Sequence, residues 1–169
     1  NTLYTAGKLN IPKELIETLD DDVLYVIAVY GGEDIDADDD MYVDAIPTTN
    51  HGTLHALITG KQLKELQPKV NILTEVAYQV LKESIQNDSL TKEQILEKLQ
   101  EIAEHLLLSK VYSSSTEPLG STDLLEWMPT IHRQLLHAEY KTQVEPIVQN
   151  LLLGQDISQS AYDLVYNPS

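Results

Sequence analysis

A change of hydrophobic period near Gly60 constrains this chain more than any other feature. Before it, apolar residues come in short runs rich in β-branched and aromatic side chains. After it, they recur every three to four residues, which puts them on one face of a helix. The clearest early run is Val23-Leu24-Tyr25-Val26-Ile27-Ala28-Val29-Tyr30, closed by Gly31-Gly32. Its near-continuous apolarity predicts a strand buried on both faces. Thr53-Leu54-His55-Ala56-Leu57-Ile58-Thr59, closed by Gly60, reads as its return strand. Leu3–Thr5 and Lys8–Ile11 pair as a short hairpin, and Pro12 opens a short helix toward Leu19.

Downstream, Asn71 caps a helix striped by Leu73, Val76, Ala77, Val80 and Leu81. Thr91 and Gln94 stand three residues apart, the spacing of a capping box, ahead of Ile95, Leu99, Ile102, Leu106 and Leu107. A loop covers residues 113 to 120 and a short helix runs from Ser121 to Trp127. A long helix then runs from about Ile131 to Leu153, bent near Pro146, and a last one from Ser158 to Tyr166. The expected class is therefore α+β: a small partial β-sandwich over residues 1–60, followed by an antiparallel helical bundle over 61–169. Three or four strands make an incomplete sandwich, so missing strands lie upstream or come from a neighbour.

Between these two strands lies a run of carboxylates. Six aspartates fall between Asp34 and Asp44. Like charges so close raise one another's pKa, so the run either stays in water or is neutralised by a cation. From Asp36 the spacing is D-x-D-x-D-x-x-V-D. Asp36, Asp38 and Asp40 take loop positions 1, 3 and 5, the Tyr42 carbonyl position 7 and Asp44 position 9; Asp34 serves in a shifted register. Hard oxygen ligands in that order suit Ca2+. Met41 stands where glycine is usual, and Pro47 where a bidentate glutamate belongs. A calcium loop and a solvated acidic loop are both consistent with this pattern.

Composition narrows the partners. Twenty-seven acidic residues against 11 basic ones give a formal charge of -16, which repels nucleic acid and anionic membrane surfaces. With no cysteine, disulfides, thiolate metal sites and cysteine nucleophiles are excluded. No stretch reaches the roughly 18 apolar residues of a membrane span. The chain opens at Asn1, inside what reads as a β element and without a visible signal peptide, and so reads as an excised piece of something longer. His51, His55, His105, His132 and His137 share no helix face and match no H-E-x-x-H pattern, so they read as structural. Neither a G-x-S-x-G elbow nor a glycine-rich phosphate loop is present. Trp127, Tyr112 and Tyr140 are candidates for an aromatic ligand platform, although Trp127 suits packing of its short helix onto the bundle better.

Several segments together carry a resemblance: LNIPKELIETLDDDVLYVIAVYGGEDIDADDD, PTTNHGTLHALITG, VNILTEVAYQVLKE, DLLEWMP and AYDLVYNP. They resemble a module of large secreted or cell-surface bacterial proteins. In it a carboxypeptidase-regulatory-like β-sandwich meets a helical segment through a dockerin- or thrombospondin-type-3-like calcium loop. The resemblance implies a non-catalytic extracellular role in adhesion or in a surface fibre, with Ca2+ at the acidic loop. The second calcium loop of such modules has no counterpart here, since residues 110–117 lack aspartate. Partners are then other protein subunits or surface ligands, reached in one version by strand addition at an open sheet edge. The alternative is a carbohydrate- or peptide-binding accessory module of a secreted enzyme.

Overall fold

The computed structural model describes residues 3–5, 8–35, 42–65, 70, 72–103 and 141–167. The architecture is mixed α+β. In chain order the described elements are β1 (Leu3–Thr5), β2 (Lys8–Asn10), α1 (Lys13–Glu17), β3 (Leu24–Tyr30), β4 (Glu33–Asp34), β5 (Thr48–Thr49) and β6 (Thr53–Thr59). They continue with α2 (Gly60–Glu65), α3 (Ile72–Gln86), α4 (Lys92–Ala103), α5 (Lys141–Leu152) and α6 (Ser158–Tyr166). The expected short helix at 121–127 lies outside the described residues, as does Asn71.

The described strands pair in three antiparallel couples: β1 with β2, β3 with β6 and β4 with β5. β3 and β6 form the central ribbon, in register from Leu24 opposite Thr59 to Tyr30 opposite Thr53. Beyond Tyr30 the chain continues into β4, which pairs Glu33 with Thr49 and Asp34 with Thr48. Asp34, the first aspartate of the acidic run, is thereby held in a paired strand.

Alternation along the strands places two cores on opposite faces of the ribbon. Leu57 joins the larger core with Leu73, Val76 and Ala77 of α3, Ile95 and Leu99 of α4, Val144 and Ile147 of α5, and Leu164 of α6. Ala56 and Ile58 point the other way, into a smaller core with Leu63 and Val70, where Ile11, Ile16, Leu19, Tyr25, Ile27 and Val29 pack. Burial on both faces, expected of residues 23–30, is realised in the second half of β6 instead. β3 alternates between half-buried and exposed positions from Tyr25 onward. The physical reason is placement: α3 packs against β6, and Val26 and Tyr30 of β3, on the same face, remain 43% and 81% exposed.

Local signals account for the helix ends. Thr91 and Gln94 form the reciprocal capping box: the Thr91 amide donates to Gln94 Oε1 at 2.8 Å and the Gln94 amide to Thr91 Oγ1 at 3.2 Å. α2 falls at the start of the stretch read as helical, where the sequence pattern marks no separate helix. It begins at Gly60, where a Cβ would stand 2.0 Å from the Asp20 carbonyl oxygen, so only glycine lets the chain turn there. The Asp20–Asp22 turn below it is held by two lysines. Lys64 Nζ donates to the Leu19 carbonyl at 2.8 Å and Lys92 Nζ to the Asp22 carbonyl at 2.7 Å.

Candidate functional sites

Two places concentrate chemistry: the acidic end of the ribbon and a polar chain that starts at its base. Between Lys13 and Lys61 the sequence holds twelve acidic residues and neither lysine nor arginine. At the far end the flanks of the acidic run are drawn together. The Asp44 amide donates to the Ile35 carbonyl at 2.7 Å, and the Asn50 amide to the Gly32 carbonyl at 3.1 Å. Of the expected ligands, Asp34 lies in β4, while Tyr42 and Asp44 stand just across this neck. Asp36, Asp38 and Asp40 lie outside the described residues. Among the described residues no three His, Cys, Asp or Glu side chains are grouped to hold a metal ion. Ile35, Tyr42, Val43 and Ile46 are exposed around the neck, so this end presents apolar surface beside its charge.

The second place centres on Glu75, which sits in the first turn of α3 and is 1% exposed. An isolated buried carboxylate is costly, so its surroundings have to supply hydrogen bonds. Three N–H groups do so. The His55 amide donates to Oε2 at 2.5 Å, His55 Nδ1 lies 2.8 Å from the same oxygen, and Gln79 Nε2 donates to Oε1 at 2.6 Å. A carboxylate only accepts, so next to ionised Glu75 the proton of His55 belongs on Nδ1. The helix N-terminus adds a favourable dipole. Burial nonetheless dominates and pushes the Glu75 carboxyl above the ordinary value of 4.5, against the lowering effects of Gln79 and His55.

The imidazole is clamped on a second side. Tyr78, one turn of α3 away, stacks on it at 4.1 Å between ring centres and 22° between planes. Burial first, and the Glu75 charge second, raise the Tyr78 phenol above its usual range. From Gln79 the chain continues outward. Ser158 Oγ, at the start of α6, lies 2.9 Å from Gln79 Oε1 and also reaches Asp156 Oδ1, its single proton serving one acceptor at a time. Hydrogen bonds from the Ser158 hydroxyl and amide hold the Asp156 carboxyl below its ordinary range. Lys82 Nζ stands 3.6 Å from Asp156. Gln79, Lys82, Glu83, Asp156, Ser158 and Tyr162 line a cleft of about 400 Å³ there.

This arrangement can hold a fixed imidazole against a buried carboxylate. Sequence reasoning classed His55 as structural and passed over Glu75 altogether. The signal that was available is one acidic residue inside Ile72-Leu73-Thr74-Glu75-Val76-Ala77, six residues that are all buried. Trp127, Tyr112 and Tyr140, and with them His105, His132 and His137, lie outside the described residues. Compared with protein-family models, with curated proteins and with solved structures, the chain matches none.

Proposed function

We propose that this chain is a non-catalytic structural and adhesive module of a bacterial extracellular surface protein or fibre. In this reading the ribbon belongs to a partial β-sandwich and α3–α6 to an antiparallel helical bundle, with Ca2+ at the acidic end. The observation that carries the reading is the closed neck between Ile35 and Asp44. It joins the two flanks of the acidic run, so that Asp34 and Asp44, ten residues apart in sequence, lie on either side of one hydrogen-bonded neck. Asp34, Tyr42 and Asp44 flank that neck among the described residues, and Asp36, Asp38 and Asp40 fall between them in sequence. Oxygen-only donors of this kind suit a hard divalent cation, whose charge would offset their mutual repulsion. The role is mechanical: a rigid, ion-filled end on a ribbon anchored to helices, offered to other subunits or surface ligands.

Thermal melting with excess CaCl2 and with chelator tests this reading. A cation that binds only the folded chain, at a hundredfold excess over its dissociation constant, adds about 2.7 kcal/mol. Titration calorimetry should show one site that disappears when Asp36, Asp38 and Asp40 are replaced together by Asn. Superimposable melting curves with no calorimetric signal would remove calcium from the mechanism.

A further inference from the structure

We propose that His55 and Glu75 form a proton-operated clasp between the β3–β6 ribbon and α3, tight while the pair holds its proton and slack once that proton leaves. The inference goes beyond the calcium reading and does not depend on it.

The geometry limits what the pair can do. His55 Nδ1 and Glu75 Oε2 are 2.8 Å apart, so the neutral ring donates one N–H to the carboxylate, and one further proton on the pair sits on the ring or on the carboxyl. With that proton present, the buried carboxylate faces an imidazolium, or a neutral carboxyl faces a neutral imidazole. The proton count is the same in each case. When that proton is lost, Glu75 stays charged, 1% exposed, beside a neutral ring.

No other described group takes over. On β6 the pair is followed toward the core by Leu57, and Ala28, opposite His55 on β3, brings no charge. On α3, Tyr78 and Gln79 face the pair without a positive charge. Lys82, one turn further, is engaged with Asp156, and from α6 Asp156 and Ser158 lie beyond Gln79. Deprotonation therefore leaves a desolvated anion held by neutral dipoles alone, the arrangement in which a buried charge is most costly.

The sign follows from the burial of Glu75. Its carboxyl is held above the ordinary 4.5, so its contribution to stability is fully present below that value and fades as pH rises through the folded-state value. The contact that slackens is a polar one among those joining the ribbon to α3. The His55 amide itself donates to Glu75, so amide exchange at that position reports on the clasp directly.

Urea unfolding in chelator, from about pH 5 to about pH 9, compares the wild type with Glu75→Gln, which fixes the neutral state. The expected result is a wild-type folding equilibrium that falls relative to Glu75→Gln as pH rises, roughly tenfold for each unit of pKa difference between folded and unfolded chains. Over the same range, exchange of the His55 amide should accelerate beyond the intrinsic base-catalysed trend. A second variant, His55→Asn, keeps an N–H toward Glu75 but carries no ionisable ring. Its deficit against the wild type should shrink as pH rises, even if Glu75→Gln does not fold. A wild-type to Glu75→Gln difference that is flat with pH, or a His55→Asn deficit that does not change with pH, would overturn the clasp.

Discussion

β3 and β6 are two strands of one ribbon with similar apolar sequences and different surroundings. Val26 and Leu57 stand directly opposite each other, yet Val26 is 43% exposed and Leu57 4%. Nothing in either strand decides this. It is decided by where α3 packs: against β6, with Leu57 among Leu73, Val76 and Ala77. The same placement puts His55, two residues from Leu57 and so on the same face, in reach of Glu75. A strand's hydrophobicity tells how well it pairs, and the helix laid across the sheet tells which strand carries the core.

The cross-strand pair gives the sharpest way to break this comparison. Leu57→Ala removes a buried side chain from the larger core and should cost about 2–5 kcal/mol in urea unfolding. A loss below about 1 kcal/mol would mean that α3 does not close over β6. Next in size is Glu75→Ala, which leaves the His55 and Gln79 donors without their acceptor and should cost about 1–3 kcal/mol near neutral pH. Smallest is Val26→Thr on the exposed position opposite Leu57, which should stay within about 0.5 kcal/mol. A Val26→Thr loss as large as that of Leu57→Ala would show that another part of the chain or a partner covers this face in solution.

Legibility in the sequence followed the range of the interaction. The Thr91–Gln94 capping box, the strands at 24–30 and 53–59, and the last helix from Ser158 are specified by residues a few positions apart, and all were readable. The pairing of β3 with β6 was readable because both runs are bounded by glycine and match in length. Which faces are buried was not readable, since that depends on α3, at least thirteen residues beyond β6. Glu75 escaped notice for a related reason. A helix stripe is found by its apolar residues, and a carboxylate among them looks solvent-facing until a donor twenty residues earlier is brought against it. Gly60 read as the end of a strand because its other duty, close approach to the Asp20 carbonyl, joins residues forty apart. The acidic run gave the opposite lesson. Its place in sequence between two paired strands was legible, whereas the β4–β5 pairing and the hydrogen bonds that draw its flanks together were not.

Two close approaches join the start of β6 to the end of α5. The His51 amide donates to the Leu152 carbonyl at 2.9 Å, and a Cβ on Gly52 would stand 2.1 Å from the Leu151 carbonyl oxygen. The return strand is thus seated against the end of a helix translated about a hundred residues later, and joining such distant segments is slow. On the ribosome the ribbon emerges long before its seat exists. For that interval its apolar strands lack their packing partner, and the twelve acidic residues between Lys13 and Lys61 add mutual repulsion that disfavours association of such chains.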